Sequence, residues 1–218
     1  MLPCSIEDLR AAWLRRAAVK RFDPGRAIPP EDWEFLMGTL AACPSAYGLQ
    51  PYRILDVRAS ERREALRLAS FGQPQVVEAS RLLVFAIVTD FGVPELDAHL
   101  ERLRVTRGLP EEALGAFRQK VVERLMEAYT PQQRRCWQAR QAYLALGGLL
   151  WAAAQRGLDT CPLEGIDLAA YEAILGLRPQ GLSAVFACAV GYRGSEETYC
   201  ELPKVRLPRE ELIRVLEG

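Results

Sequence analysis

The longest helical pattern in the chain, residues 131–156, is the feature that most constrains how this sequence can fold. In its middle, residues 143–154, apolar side chains lie nearly all the way round the helix. A helix that is apolar on all sides must be buried, either in the core of its own chain or against a second subunit. Gly157 is well placed to end the helix, because glycine readily adopts the left-handed conformation that often follows a last helical turn. The rest of the chain must therefore supply layers that cover this helix.

Helical and strand periodicities account for most of the remaining sequence. Capping residues, acidic first turns and the spacing of apolar residues predict helices over residues 5–17, 29–42, 60–69, 94–107, 111–129 and 166–175, with a short amphipathic helix in the tail of residues 201–218. Apolar runs with β-branched and aromatic members predict buried strands over residues 54–57, 82–88 and 183–190. Because helices predominate over strands, we expect the α+β class, with a small central sheet surrounded by helices.

Length and charge limit the classes of function. A chain of 218 residues without a composition break predicts a single domain over residues 1–218. A net charge of zero argues against a nucleic-acid partner or a membrane surface. The apolar run at residues 82–88 is too short to span a bilayer, and the first ten residues contain Glu7 and Asp8 where a signal peptide would be apolar. We therefore expect a soluble, cytoplasmic protein.

Cysteine and histidine offer no obvious catalytic or metal site. The six cysteines contain no C-x-x-C pair, so we interpret them as reduced structural residues, with Cys188 in the core. One histidine, His99, leaves no plausible zinc cluster, and we expect no bound metal. His99 stands among charged residues of a predicted helix, which indicates a solvated surface position. Histidine-dependent hydrolysis is therefore not predicted.

A nucleotide cofactor would have to be held by discrete cationic side chains. The sequence contains neither G-x-G-x-x-G nor G-x-x-x-x-G-K-[ST], which argues against a Rossmann site or a P-loop. Asparagine is absent, and only three of the 28 Lys and Arg residues are lysines: Lys20, Lys120 and Lys204. Genomic base composition and selection for heat resistance would each produce this bias. The remaining lysines are therefore candidates for sites where an ammonium group has a specific position.

Four segments combine charged or polar residues with loop-forming residues. Their sequences are RRAAVKRF at residues 15–22, CPSAYGLQPY at residues 43–52, PLEG at residues 162–165 and LPKVRLP at residues 202–208. Alternation along an extended chain puts Lys204 and Arg206 on the same side. Taken singly, each segment is also compatible with an ordinary structure, namely a solvated basic turn, a connecting loop, a tight turn and a basic tail.

In this order and at these spacings, the four segments resemble the nitroreductase family of flavoproteins. Members typically show R-x-S-x-K-x-F near the N-terminus, then P-S-x-x-x-x-Q-P-[WY], a P-[ILM]-E-G turn and an L-P-K-x-R-L-P-like tail. The resemblance extends from Arg15 to Pro208. It implies a homodimer with a small mixed sheet and two FMN sites at the dimer interface. The apolar residues 143–154 suit such an interface.

The resemblance also assigns residues to the cofactor. Arg16 and Arg206, with Lys204 beside them, would contact the FMN phosphate, since guanidinium groups offer it paired charge-assisted hydrogen bonds. Lys20 would lie near the N1/O2 edge of the flavin, where negative charge develops on reduction. Backbone N–H groups of the third family motif would bind the N5/O4 edge, and the second motif would reach the flavin from the other subunit. The residues of these two motifs are Pro162, Leu163, Glu164 and Gly165, and Pro44, Ser45, Ala46 and Gly48.

Four positions depart from the family pattern. Ala18 stands where many members have Ser or Thr, which removes one phosphate contact, and Gly48 stands where asparagine is frequent. A flavin-edge position that is often asparagine falls near Gly72 or Gln73, and one that is often lysine aligns with Gln75. Gln73 and Gln75 could donate neutral hydrogen bonds there. Lys20 would then be the main charge near N1.

The implied reaction is ping-pong reduction. NAD(P)H would give hydride to the flavin N5 and leave, and a small electron-poor acceptor would be reduced in the same space, with no catalytic side chain assigned. Family acceptors include nitroaromatics, quinones and free flavins. Tyr47 and Phe117 would contact the acceptor, although Phe117, like Phe91 nearby, is equally compatible with the core. Two alternatives remain at this point: a related flavoenzyme performing reductive dehalogenation or substrate oxidation, and a non-catalytic flavin-binding module.

Overall fold

The computed structural model describes residues 5–216, and its centre is a four-stranded sheet. The strands are β1 (Tyr52–Asp56), β2 (Arg81–Val88), β3 (Asp159–Leu163) and β4 (Leu182–Gly191), in the order β1-β2-β4-β3. All neighbouring strands pair antiparallel, with a bulge between Phe85 and Ala86 of β2. The α+β class is confirmed, but the sheet within the described residues is antiparallel instead of mixed. The one parallel bridge in this part of the chain joins Ala18 to Thr160, outside the regular ladders.

Helices cover both faces of this sheet. They are α1 (Ile6–Arg15), α2 (Pro30–Ala42), α3 (Ser60–Leu68), α4 (Gln75–Glu78), α5 (Val93–Arg107), α6 (Gly115–Val121), α7 (Pro131–Gln155), α8 (Leu168–Leu175) and α9 (Arg209–Leu212). The predicted starts of α1 and α7 are confirmed, because Ser5 with Asp8 and Thr130 with Gln133 form capping boxes. No helix within residues 5–216 is both long and apolar enough to cross a membrane.

The core lies on the two faces of the sheet. On one face, Val19, Cys161 and Tyr171 belong to a buried cluster covered by α3, α4 and α8. On the other face, Phe85 and Phe186 stack at 4.6 Å beneath α2 and α7. A third cluster, beneath α5 and α6, lies beyond the sheet. The central strands β2 and β4 are buried almost throughout, as their apolar runs predicted.

The long helix α7 is buried on one face and open on the other. Small and aliphatic residues such as Ala145 and Leu149 pack on the sheet and on α2. Tyr143, Leu144 and Trp151 are 38%, 53% and 42% exposed. The core of one chain therefore covers only part of a helix whose sequence is apolar nearly all round.

Three predicted elements differ in the structure. The helix expected over residues 111–129 is broken into a 3-10 turn (Glu111–Leu114), α6 and a wide π turn (Val122–Glu127), in which the Ala128 N–H bonds to the carbonyl of Glu123. Strand β3 was not predicted, because Pro162 suggested a turn; as an edge strand, β3 can include a residue without an N–H donor. In the described part of the tail, residues 201–216, Glu201 ends a 3-10 turn, α9 is the one α-helix, and all residues are exposed.

Candidate functional site

Three cations from the two ends of the described chain line one cavity. Arg16 directly follows α1, whereas Lys204 and Arg206 lie in the extended tail, and together they border a cavity of about 380 Å³. The alternation that put Lys204 and Arg206 on one side of the tail agrees with this placement. We call these three residues and the space between them the cationic cavity; Ala18 also lines it.

Within residues 5–216, no carboxylate neutralises the charge of the cationic cavity. None of the ion pairs formed among residues 5–216 includes Arg16, Lys204 or Arg206. Burial, and then the charge of Arg206, lower the pKa of Arg16. The Arg16 side chain packs over the ring of Trp13 at 4.8 Å, and its buried Nε atom lacks a hydrogen-bond partner in the described structure. Such an arrangement suits a ligand with two negative charges and several acceptor oxygens.

A buried hydroxyl lies next to Ala18. Thr160 of β3 is fully buried and forms the parallel bridge with Ala18, and the carbonyl of Thr160 accepts from the N–H of Val19 at 3.2 Å. The Oγ1 atom of Thr160 has no hydrogen-bond partner among the described residues. This hydroxyl is therefore available to form a hydrogen bond with a further polar group. The sequence did not suggest Thr160, because the bridge joins segments that are far apart in the chain.

Lys20 is held in place by its backbone. The N–H groups of Lys20 and Arg21 donate to Oε2 of Glu197 at 2.5 and 2.9 Å. Burial tends to raise the pKa of the Glu197 carboxyl, but backbone hydrogen bonds from Arg21, Lys20 and two further residues outweigh it and lower that pKa. Glu197 therefore stays ionised and fixes the segment that carries the Lys20 side chain.

The two glutamines lie close to Lys20. Gln75 donates from Nε2 to Oε1 of Gln73 at 2.8 Å, and Gln73 donates from Nε2 to the carbonyl of Gly165 at 2.9 Å. The Nζ atom of Lys20 and the Nε2 atom of Gln75 both lie close to the sulfur of Cys161, at 3.7 and 3.8 Å. We call Lys20, Gln73, Gln75 and Cys161 the lysine–glutamine cluster. Cys161 is the member that the sequence did not suggest.

The P-L-E-G segment crosses from strand to turn. Pro162 and Leu163 end β3, and Glu164 and Gly165 follow in an exposed turn closed by the Ile166 N–H, which donates to the carbonyl of Glu164 at 2.8 Å. None of the hydrogen bonds within residues 5–216 uses the N–H of Glu164 or of Gly165. These two amides are therefore available to donate to a ligand, as expected from the family resemblance of this segment.

A tyrosine of α7 supports this turn. The Tyr143 hydroxyl donates to Oε1 of Glu164 at 2.5 Å, and the Tyr143 ring packs on Phe186 at 4.4 Å. Burial, and then the Glu164 carboxylate, raise the pKa of Tyr143, so its hydroxyl remains protonated and a donor. Tyr143 was predicted only as part of a buried helical face; its contact with Glu164 is a result of the fold.

The loop of residues 44–48 lies apart from the other groups. Its Ser45 hydroxyl accepts from the N–H of Gln50 at 2.9 Å, and the Ala46 N–H donates to Oε1 of the buried Gln141 at 2.8 Å. Tyr47 and Gly48 have positive φ angles of 59° and 71°. The hydrogen bonds that this loop forms within residues 5–216 do not reach the cationic cavity or the lysine–glutamine cluster. One chain therefore brings together only part of the predicted site.

Tyr47 and Phe117 do meet, in the third cluster. Their rings lie 6.0 Å apart in an edge-to-face arrangement, and both side chains are half-buried. Phe91 is buried against Trp137 at 5.9 Å and belongs to the core. Tyr47 and Phe117 thus keep a partly open aromatic surface that a planar molecule could contact.

His99 is not the solvated group that its charged neighbours indicated. It is half-buried on α5, where its ring lies against Gly48, and it lines a second cavity of about 820 Å³. Burial, and then the charge of Arg102, lower the pKa of His99, although a hydrogen bond with the Tyr47 backbone opposes this. The charged residues that indicated a solvated position are neighbours of His99 in the sequence, but its ring lies against the 44–48 loop.

Comparison with known proteins agrees with this geometry. Residues 14–192 match the model of the nitroreductase family. The chain is 33% identical to a Thermus thermophilus NADH dehydrogenase, over 94% of this chain and 95% of that protein. It is 28% identical to the oxygen-insensitive NAD(P)H nitroreductase of Salmonella typhimurium, over 94% and 98% of the two chains. The fold is similar, with a TM-score of 0.79, to an Exiguobacterium sibiricum protein solved in complex with FMN, at 18% identity over 99% of each chain.

Proposed function

The chain belongs to the nitroreductase family, whose enzymes are NAD(P)H nitroreductases and flavin oxidoreductases, and from this we propose that it binds FMN and uses NAD(P)H to reduce small electron-poor acceptors. Nitroaromatics, quinones and free flavins are the acceptor classes proposed. The observation that carries the proposal is the cationic cavity, whose three cations have no carboxylate partner within residues 5–216 and where the buried Nε atom of Arg16 has no hydrogen-bond partner in that part of the chain.

The residues present fit the phosphate end of FMN. Arg16, Lys204 and Arg206 would bind the phosphate, and the unpaired Nε atom of Arg16 would gain an acceptor there. Thr160 would supply a hydroxyl on the strand next to Ala18, where the family pattern often has Ser or Thr. The departure at Ala18 is thereby compensated from a neighbouring strand.

The residues present also fit the ring end. Lys20 would place its ammonium near the N1/O2 edge, with Gln73 and Gln75 beside it. The free N–H groups of Glu164 and Gly165 would donate to the N5/O4 edge, and Gly165 leaves space for this, because an added Cβ would meet only Gln73 Nε2, at 3.9 Å. When bound, FMN would take hydride from the nicotinamide and pass it to the acceptor.

The acceptor would lie on the aromatic surface formed by Tyr47 and Phe117. We propose that the 44–48 loop, including Pro44, Ser45, Ala46 and Gly48, reaches the ring site of a second copy of the chain. This accounts for its separation from the lysine–glutamine cluster within one chain. The same dimer would cover the open face of α7.

Two further surfaces support a homodimer. Trp13 of α1 and Trp151 of α7 pack together at 5.3 Å and remain 37% and 42% exposed. In the tail, Val205 and Leu207 are 88% and 62% exposed, which is unfavourable for apolar side chains unless a partner covers them. A cytoplasmic location is proposed with the dimer, since the five cysteines within residues 5–216 form no disulfide.

Purification tests the proposal directly. We expect a yellow protein with about one FMN per chain, a dimer by size-exclusion chromatography with light scattering, and loss of the yellow colour when NADH or NADPH is added without oxygen. A colourless protein that does not take up FMN would refute the function. A yellow protein that neither nucleotide bleaches would favour the non-catalytic flavin-binding alternative. Bleaching without reduction of any nitroaromatic, quinone or flavin would favour a different reaction of the same superfamily.

A further inference from the structure

The ammonium group of Lys20 lies against a buried sulfur atom. Lys20 is exposed as a whole, but its Nζ atom lies 3.7 Å from Sγ of Cys161, which is fully buried on β3. None of the ion pairs formed within residues 5–216 includes Lys20. The side chain is therefore located by a neutral neighbour and not by a carboxylate.

The same sulfur also contacts a buried amide. Gln75 is 2% exposed, and its Nε2 atom lies 3.8 Å from Sγ of Cys161 and 2.8 Å from Oε1 of Gln73. Gln73 in turn donates to the carbonyl of Gly165. The sulfur is thus fixed between the ammonium and a chain of two amides that ends at the P-L-E-G turn.

The sulfur leaves the charge of Lys20 available. Burial raises the pKa of the Cys161 thiol, and the nearby charge of Lys20 only partly opposes this, so the thiol remains neutral at ordinary pH. A carboxylate at this place would hold the ammonium more strongly but would cancel its field. An exposed lysine side chain with no contact would instead spread over many rotamers.

We propose that Cys161 and Gln75 are positioning residues that hold the Lys20 ammonium at the ring edge of the cofactor without neutralising it. This rests on the proposed FMN site, because the ring edge is where the charge would act. The pair would stabilise the reduced form of the bound cofactor through Lys20. For Gln75 this replaces the direct hydrogen bond to the ring that the sequence suggested, because its Nε2 atom already contacts Gln73 and Cys161.

The test is the two-electron potential of bound FMN, measured by equilibration with a reference dye. Four proteins form a cycle: wild type, Lys20→Met, Cys161→Ala and the double variant. We expect Lys20→Met to lower the potential, and Cys161→Ala to lower it by a smaller amount. In the Lys20→Met background, Cys161→Ala should have no further effect, since its partner is already gone. Cys161→Ser, which restores an acceptor for the ammonium, should recover part of the loss.

Two further variants keep the test decisive. Gln75→Met removes the amide without changing the length of the side chain much, and should also lower the potential only while Lys20 is present. Cys43→Ala is the matched control, because Cys43 is another buried thiol, with its Sγ atom 3.8 Å from the carbonyl of Ala145, and it should leave the potential unchanged.

The failures are separable. A wild-type protein that binds no FMN refutes the proposed function. If FMN binds and Lys20→Met shifts the potential, but neither Cys161→Ala nor Gln75→Met does, the positioning role alone is wrong. Equal shifts from Cys161→Ala in both backgrounds would show a general structural effect and would likewise overturn the inference, as would an unchanged potential in Lys20→Met.

Discussion

Replacing Arg206 by alanine would test the cationic cavity with little effect on the fold. Arg206 is exposed, and its guanidinium donates only to the carbonyl of the adjacent Val205, at 2.7 Å, among the described residues. Its charge also contributes, after burial, to the lowered pKa of Arg16. The substitution therefore removes no packing and relieves a repulsion. We expect the FMN-free variant to unfold at the wild-type temperature or slightly above it.

The effect on FMN should be much larger. A hydrogen bond to a charged group contributes about 1.5–3 kcal/mol. At about 1.4 kcal/mol for each tenfold change, the Kd for FMN should rise on the order of ten- to a hundredfold. Quenching of flavin fluorescence on titration into FMN-free protein would measure this. Added salt should weaken wild-type binding more than binding by the variant, because the wild type has one more cation to screen.

Arg209→Ala is the matched control. Arg209 is an exposed arginine three positions along the same tail, at the start of α9, and it does not line the cationic cavity. We expect its Kd for FMN to match the wild type. If both substitutions weaken binding alike, general attraction by the tail explains the result and the assignment of Arg206 is wrong. An unchanged Kd in Arg206→Ala refutes it as well.

Three other predictions concern single side chains. Lys20→Met should lower the two-electron potential of bound FMN, by roughly 30 mV for each 1.4 kcal/mol of stabilisation lost. Arg206→Ala should leave that potential nearly unchanged, because a phosphate contact acts about equally on both redox forms. The reverse pattern in dye equilibration would assign the ring edge to Arg206 and the phosphate to Lys20. Tyr47→Ala should change turnover with bulky quinones or nitroaromatics while FMN stays bound. An equal change with every acceptor, or loss of FMN, would show that Tyr47 has a structural role and does not contact the acceptor. His99 has a lowered pKa in the fold, so the unfolded chain binds more protons and stability should fall as the pH drops through about 6.5, the ordinary histidine pKa. The free energies of unfolding in urea of wild type and His99→Gln should therefore diverge below that pH and run parallel above it. Parallel curves at every pH would contradict the prediction.

Local signals in the sequence were sufficient for the elements that carry their own caps and core. Ser5, Thr130 and Pro30 marked helix starts because a cap or a fixed φ angle acts within a few residues. The buried strands β2 and β4 were visible as continuous apolar runs. By contrast, β3 is an edge strand with polar residues and a proline. Its extended structure depends on pairing with β4 and is not indicated by its own residues.

The site was predictable in parts for the same reason. The motifs located Arg16, Lys204 and Arg206, and the structure places them around one cavity. The hydroxyl of Thr160 and the sulfur of Cys161 gained importance only when distant segments met. His99 was misjudged because its helix is charged around it, whereas the direction of one ring depends on the loop that packs there.

The cationic cavity draws its side chains from residue 16 and residue 206, so a molecule cut anywhere between them can lose half of the site. The exposed tail, residues 201–216, offers a protease an extended substrate with few internal contacts. Molecules cut between residues 201 and 206 would keep the sheet and helices α1 to α8 and pass most tests of folding, yet they would release the proposed cofactor. For anyone preparing the protein, the ratio of yellow colour to total protein would then report how many chains in the sample are intact.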